Sequence, residues 1–302
     1  PQGSSQDFAQ AQANVYQGNY LRFYLTRVKH YGIARVTGEA AEAAVKSEGA
    51  LVDLWDNETK GIATTEMSVL ATYLYGTGDG TLGTMGGTGS VAATTITLAA
   101  DTNMNYFELN MKLKAVSAVG VSPTVRVGSA RVTGIDRRNR TLTTDANWST
   151  NITSFANTDH LVRDGDQAGS AVVNMTGYGS YVVGGTAPGT IFGLNRNSDP
   201  VRLAGQNVDY QSWAMEDAVV DASGQAGFQG IGYPNVLLLN NLEFANLKKS
   251  MAGKLTYNRP GGSEGKYSFS DISIEGENGP IELLPDPFCP RKKAFLLSMD
   301  KF

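Results

Sequence analysis

The sequence has few of the residues on which most metal and redox sites depend. Among its 302 residues there are one cysteine, Cys289, and two histidines. A single cysteine excludes an internal disulfide and a cysteine-based metal cluster. His30 and His160 lie far apart in the sequence, so a Ser-His-Asp arrangement cannot be argued from them. We therefore predict no catalytic residues, no metal site and no cofactor.

Long apolar runs and an excess of positive charge are also missing. No apolar stretch approaches the about 18 residues that a membrane-spanning helix needs. The formal net charge is −4, so the composition predicts no general attraction to nucleic acids or to anionic membranes. Charged residues make up 18% of the chain and there are 35 glycines. This balance is typical of a chain rich in strands and turns.

One glycine motif has the spacing of a nucleotide-binding loop. The segment from Gly78 to Gly83 has the spacing GxGxxG. A dinucleotide loop needs a strand before it and a helix after it, so that the phosphates meet the helix N-terminus. Here a predicted helix precedes the motif and a Gly/Thr-rich stretch, 77–90, surrounds it. We interpret the whole stretch as a flexible linker.

Two pairs of carboxylates are candidates for chemistry. Asp164 and Asp166 could offer oxygens to Ca²⁺, but the twelve-residue pattern of a calcium-binding loop is missing. We interpret them as a polar strand end. Asp217 and Asp221 are one helical turn apart and could act as acid and base. Their position opposite the apolar side of a predicted helix favours a solvated face instead.

The neighbours of the remaining reactive side chains disfavour catalytic roles. Cys289 lies among prolines without a base to lower its pKa, and we predict a small buried side chain. His30 follows Lys29 and Arg27, which disfavours a general base and favours a surface contact. Short basic clusters are balanced by acidic residues, so we predict solvated turns or ion pairs between chains. These clusters are 137–140, 248–249 and 291–293.

The longest periodic segment runs from Gly38 to Gly76. Its apolar residues recur at steps of four and seven, which places them on one side of an α-helix. Thr37 can cap its start and Gly76 its end. We predict one long helix whose buried row consists of Leu51, Trp55, Ile62, Val69 and Tyr73.

The segment before this helix lacks a partner within the chain. Residues 1–19 are rich in Gln, Ala and Ser and too polar to form a core. Residues 20–36 have the composition of a long strand with apolar side chains on both faces, so part of its contact surface must lie on another molecule. With 8–16 as a return strand, we predict a projecting hairpin. Its predicted inter-subunit contacts are Leu21, Phe23, Tyr24, Leu25 and Tyr31.

After the helix, the pattern changes twice. Short strand candidates with turn signals between them predict a small sandwich or barrel; they are 91–99, 106–116, 124–133, 141–144 and 160–163. The rest alternates helix and strand candidates, as expected of an α+β sheet covered by helices; they are 211–223, 235–239, 242–253, 267–269, 272–274, 281–284 and 294–299. In the helix candidate 242–253, we predict Asn241 as the N-cap and Leu242 on the buried side.

This order of segments resembles the major capsid proteins of tailed bacteriophages, whose Hong Kong 97-type shell fold is shared with encapsulins. The phrases at 235–253 and 281–302 resemble the strand–helix of the axial domain and the return strand of that family. The resemblance implies an α+β fold with five parts. They are an N-terminal arm remnant and extended hairpin (E-loop) at 1–37, a spine helix of the peripheral domain at 38–77, an inserted β-sandwich or barrel module at 78–168, an axial α+β domain at 169–280, and a return strand into the peripheral domain at 281–302.

The resemblance also implies a function and its partners. A protein of this family is a structural component of the virion, assembled in the host cytoplasm and without an active site. It self-assembles into hexamers and pentamers of an icosahedral shell, with scaffolding, portal and decoration proteins as further partners. The shell encloses double-stranded DNA without sequence-specific binding, and no membrane is involved.

Three other classes of protein remain open. An encapsulin-like container would share the fold and differ in its cargo. A phage tail-tube or decoration protein would be mostly β, and a long helix argues against it. A carbohydrate hydrolase would need two carboxylates about 5–10 Å apart in a cleft.

Overall fold

A computed structural model describes most of the chain. The described residues are 3–15, 22–25, 27–39, 42, 48–86, 90–118, 124–166, 174–183, 189–210, 214–228, 230, 232–252 and 273–299. The fold is mixed, with 32% helix, 24% strand and several sheets. The predicted α+β class is therefore confirmed at this level.

In the described residues before the long helix, the predicted hairpin is not formed. Residues 8–16 were expected to be a strand, but Phe8–Ala13 is a helix whose N-cap, Asp7, accepts a hydrogen bond from the amide of Ala9. Residues 22–25 and 27–37, called the arm below, contain no strand. A β-strand requires a hydrogen-bonded partner strand. The predicted partner, residues 8–16, contains the helix Phe8–Ala13 instead. Leu21 lies outside the described residues.

The long helix spans Glu48–Leu74, and residues 38, 39 and 42 are also helical. Among its described side chains, those at 55–61 are exposed, and burial against the rest of the chain increases toward the C-terminal end. Val69 and Tyr73 are buried and Ile62 is partly buried, whereas Trp55 is 57% exposed, contrary to the prediction. The periodicity places these residues on one side, but a side is buried only where another element covers it. The side chain of Leu51 lies outside the described set.

A six-stranded antiparallel sheet follows the long helix. Its strand order is β1-β6-β3-β4-β5-β2. The strands are β1 (Thr81–Thr84), β2 (Thr95–Thr97), β3 (Lys112–Val116), β4 (Ala130–Asp136), β5 (Thr141–Thr144) and β6 (His160–Arg163). The predicted linker at 77–90 therefore contains a strand, and no helix follows Gly83. Residues 87–89 lie outside the described part.

The edges of this sheet meet. Met85 and Leu98 form an antiparallel bridge just beyond β1 and β2, and the amide of Ala99 donates to the carbonyl of Thr84 at 2.9 Å. The sheet therefore closes into a small barrel, one of the two predicted architectures, and closure removes exposed strand edges. Its interior is filled by inward-facing apolar side chains, which include Leu82, Ile96, Leu113, Val132, Leu142, Trp148, Ile152 and Leu161.

The β4–β5 turn carries one of the basic clusters. Its positive φ is at Arg140 (57°). The Asp136 carboxylate accepts hydrogen bonds from the amides of Arg138 and Asn139. These bonds, together with one from the Asn139 side chain, lower the pKa of Asp136. The carboxylate thus organises the turn.

A second sheet has the strand order β10-β11-β9-β12. Its strands are β9 (Val236–Leu239), β10 (Ser273–Gly276), β11 (Gly279–Pro285) and β12 (Ala294–Leu297). β9 and β11 are parallel, with Leu237 opposite Leu283, while β10 and β12 are antiparallel to their neighbours. The predicted division at 280/281 falls inside β11, and one sheet joins the two segments.

Two helices cover this sheet. They span Met215–Phe228 and Asn241–Ala252, and their side chains Val219 and Leu247 pack with Leu239 and Ile281 in one core cluster. Leu242, predicted to be buried, is 54% exposed. The other described elements are short: helices Trp148–Asn151, Tyr178–Tyr181 and Pro200–Leu203, 3₁₀ helices Met104–Tyr106 and Arg196–Ser198, and the hairpin of β7 (Thr190–Ile191) and β8 (Leu194–Asn195).

Candidate interaction surface

The arm exposes a series of large apolar side chains. Four of the five predicted contact residues are described, and each is between 60% and 77% exposed. Ile33 continues the series at 78%. Single exposed apolar residues are common, but several on one segment indicate a candidate interaction surface. The described members of the prediction are Phe23, Tyr24, Leu25 and Tyr31.

The first half of the long helix adds to this surface. Residues 55–61 are all exposed, and Trp55 is the largest apolar side chain among them. Farther along, Met67 is 70% and Leu70 49% exposed. A helix normally buries its apolar side chains, and here Trp55, Met67 and Leu70 remain exposed to solvent. We call the exposed apolar residues of the arm and of the long helix the interaction surface.

The arm contacts Phe192 and the long helix. The amide of Tyr24 donates to the carbonyl of Phe192 at 2.9 Å. Gly32 lies so close to the long helix that a Cβ atom there would come within 2.8 Å of side-chain atoms of Ile62 and Glu66. A glycine at this position therefore permits the close approach of arm and helix. His30 Nδ1 lies 2.6 Å from Glu66 Oε2.

Asp166 connects the arm, the long helix and the barrel. Tyr73 donates a hydrogen bond to its carboxylate. The hydrogen bond from Tyr73 is to Asp166 Oδ2, and Arg163 Nε lies 3.9 Å from the same atom. His30 Nε2 lies 3.8 Å from Asp166 Oδ1. Burial, followed by the hydrogen bond to Asp166, raises the pKa of Tyr73. The sequence indicated a polar strand end here and did not predict this cluster, because its members are brought together only by the fold.

The segment from Pro285 to Pro290, called the junction segment, connects both sheets with the long helix. Asn103 and Tyr106 of the barrel module donate hydrogen bonds of 2.7–2.9 Å to its carbonyl oxygens. Tyr75, just beyond the long helix, donates to the Asp286 carboxylate at 2.7 Å. The junction segment thereby sets the position of the helix, and with it the position of the interaction surface.

Cys289 is a buried member of the junction segment, as the sequence predicted. Its thiol lies 3.9 Å from the carbonyl of Leu238 and 3.7 Å from that of Lys293. Burial raises its pKa to about 12, so the reactive thiolate is disfavoured. Asn240 donates to the Cys289 carbonyl and caps the following helix by accepting from the amide of Leu242. The sequence had assigned that cap to the next residue.

A cavity of about 570 Å³ lies between the end of the long helix, the barrel and the second sheet. Two of its carboxylates support local structure. Asp79 accepts hydrogen bonds from the hydroxyl of Thr77 and the amide of Thr81 at 2.7 and 2.9 Å. Glu243 accepts from the amide of Lys292 at 3.4 Å. These contacts give Asp79 and Glu243 structural roles; Asp101 also lines the cavity.

The other candidate carboxylates have structural surroundings as well. Asp164 lies 3.1 Å from the amino group of Lys114. Asp217 is exposed, and Asp221 accepts a hydrogen bond from Gln225. Within the described ranges, no group of three His, Cys, Asp or Glu side chains is placed to hold a metal ion.

Comparisons with protein-family models, with curated proteins and with solved structures found no match to this chain. In the part of the chain that the structure describes, no helix combines the length and apolar character needed to cross a bilayer.

Proposed function

We propose that the chain is a major capsid protein of a tailed bacteriophage, with the Hong Kong 97-type fold. It assembles in the host cytoplasm into hexamers and pentamers of an icosahedral head that encloses double-stranded DNA. The observation that carries the proposal is the interaction surface: large apolar side chains of the arm and of the long helix, among them Phe23, Trp55 and Leu70, remain exposed in the single chain. Such a surface needs a partner, and copies of the same chain supply one.

The order of the elements supports the proposal. An arm, a long helix, a β module, a mixed sheet and a closing strand follow one another along the chain, which is the order that the resemblance implies. The helical content of 32% disfavours the mostly β tail-tube alternative. We propose no catalytic role, because the surface is apolar and lacks converging acids among its described residues.

The charges of the arm and of the long helix also favour contacts between copies. The arm carries Arg22, Arg27, Lys29 and Arg35. The exposed residues 55–61 of the helix carry Glu58, and the Asp56 carboxylate there is paired with Lys60. Charge complementarity guides association and its register more than it adds affinity. Many weak contacts of this kind sum to a stable shell.

Electron microscopy of the purified chain over a range of concentrations tests the proposal. We expect closed or partial round shells, or hexamers and pentamers as their precursors, in equilibrium with the unassembled chain. A chain that stays monomeric at high concentration under all assembly conditions would contradict the proposal. Shells from the host cell that contain protein cargo in place of DNA would favour the encapsulin alternative.

A further inference from the structure

The arm turns one side toward the long helix and the other side away from it. His30 and Gly32 lie against Glu66 of the helix, and Ala34 and Val36 are partly buried. The odd-numbered residues from 27 to 35 are all exposed. This alternation has the two-residue period of an extended chain. We call the exposed residues the outward face of the arm; they are Arg27, Lys29, Tyr31, Ile33 and Arg35.

The outward face combines positive charge with large apolar side chains. Three of its five residues are cations, and Tyr31 and Ile33 are 75% and 78% exposed. Residues 20–37 contain no Asp or Glu, so no acidic residue within the arm balances these charges. The whole chain has a net charge of −4, and the carboxylates that outweigh the arm therefore lie on other parts of the chain. A second copy can offer such carboxylates to the arm.

The second sheet has an exposed face that carries carboxylates. Side chains alternate between the two faces of a strand, and Ile274 of β10 and Ile281 of β11 belong to the core cluster that the two helices cover. The residues on the opposite side of β10 and β11 are all exposed. We call them the outer face of the second sheet; they are Ser273, Glu275, Pro280, Glu282 and Leu284.

Two carboxylates of the outer face have a spacing that suits the arm. Glu275 lies opposite Pro280, which is two residues before Glu282 on β11. The two glutamates are therefore diagonal neighbours on adjacent strands, about 7–8 Å apart. In an extended arm, Arg27 and Lys29 are about 6.5–7 Å apart. Each of these cations can therefore face one carboxylate.

The exposed part of the long helix is a poorer acceptor for the arm. Within 55–61 the Asp56 carboxylate is paired with Lys60, which leaves Glu58 as the acid of this stretch without an ion pair among the described residues. One carboxylate cannot match the three cations of the outward face. The outer face of the second sheet offers two carboxylates and an apolar side chain, Leu284, that is 40% exposed.

We propose that the outward face of the arm in one copy docks on the outer face of the second sheet in a neighbouring copy. Arg27 and Lys29 meet Glu275 and Glu282, and the charge pairs fix the register of the contact. The contact joins two different surfaces of the chain, so it is heterologous and can repeat from one copy to the next around a ring. It rests on the proposed function in one respect, the self-association of the chain.

Charge reversal in the full chain tests the contact, with self-association followed by sedimentation velocity. The arm-reversed chain is Arg27→Glu with Lys29→Glu, and the sheet-reversed chain is Glu275→Lys with Glu282→Lys. Each chain then has like charges on the two surfaces, so the concentration for half-maximal association should rise by about tenfold or more. An equimolar mixture should recover association, because each chain meets opposite charges on the other.

Controls separate the contact from effects on folding. Glu108→Lys reverses an exposed charge of the barrel module and should associate as the wild type does. Urea denaturation should give every variant the wild-type stability, because the substituted residues are exposed. If the sheet-reversed chain is less stable, Glu275→Gln with Glu282→Gln replaces it, and a smaller loss of association is expected.

The outcomes distinguish the docking from the proposed function. Recovery of association in the mixture would support the docking, even if the oligomers never close into shells. A sheet-reversed chain that associates like the wild type, or a mixture that does not recover, would overturn the docking alone. A loss in Glu58→Lys with normal association of the sheet-reversed chain would place the arm on the long helix and would also overturn it. A wild-type chain that stays monomeric would overturn the proposed function together with the docking.

Discussion

The hydroxyl of Tyr75 donates a 2.7 Å hydrogen bond to the carboxylate of Asp286. This bond joins the end of the long helix to the junction segment, which also contacts the barrel and β9. Tyr75 is only 4% exposed. Burial and the neighbouring carboxylate raise the pKa of its phenol, so it stays a neutral donor at physiological pH.

Tyr75→Phe should lower the free energy of unfolding by about 1–3 kcal/mol, because a hydrogen bond to a charged acceptor is lost without a change in shape. Urea denaturation of the unassembled chain measures the effect. Tyr31→Phe removes the same atom from an exposed arm residue and should change stability by less than about 0.5 kcal/mol. Equal effects of the two substitutions would show that the bond to Asp286 does not stabilise the fold.

Leu142→Ala should destabilise the chain by about 2–5 kcal/mol. The side chain is fully buried in the barrel, and truncation leaves a cavity that the closed sheet cannot fill. Thermal and urea denaturation measure the loss. Leu109→Ala, at a residue of the same module that is 61% exposed, is the matched control and should cost less than about 0.5 kcal/mol. A Leu142→Ala chain as stable as the control would exclude the packed barrel.

Trp55→Ala should weaken association more than folding. Because the ring is 57% exposed in the single chain, its loss should change the free energy of unfolding by less than about 0.5 kcal/mol. If the ring packs against a second copy, sedimentation velocity should show less assembly at a given concentration. Asn57→Ala, on the same exposed turn, is the control for helix propensity. A large loss of stability in unassembled Trp55→Ala would mean that the ring packs within its own chain.

Phe23→Asp should abolish shells while the fold is retained. A charge in the middle of the apolar series on the arm cannot be buried against a neighbour without a large desolvation cost. Circular dichroism and urea denaturation should give the wild-type result, and electron microscopy should show no shells. Phe23→Leu keeps an apolar side chain and should still assemble. Normal shells from Phe23→Asp would show that the arm takes no part in the proposed contact between copies.

Cys289 should resist thiol reagents in the folded chain. Burial raises its pKa to about 12, compared with about 8.5 for an exposed thiol. At pH 8 the folded thiolate population is therefore lower by roughly a thousandfold. The contribution of the buried, protonated thiol to the free energy of unfolding is complete below about pH 8.5 and is lost as the pH rises toward 12. Ellman's reagent should react slowly with the native chain and rapidly in urea; equal rates would disprove the burial of this thiol.

Local patterns predicted some elements well. The strands Thr141–Thr144 and His160–Arg163 were predicted with the bounds that the structure has, because short alternating runs between turn residues are a strong local signal. The strand Thr81–Thr84 was missed, since its glycine-rich surroundings are typical of a linker. It forms because β6 lies beside it, and this partner is distant in the sequence.

Periodicity and composition alone determined the α+β class, the long helix and the shared side of Trp55, Val69 and Tyr73. Tertiary structure alone decided that Tyr73 is covered and Trp55 is not, and that His30 meets Glu66 and Asp166. The physical reason is that a helical period depends on neighbours along the chain, whereas burial and charge contacts depend on which distant segments pack beside it.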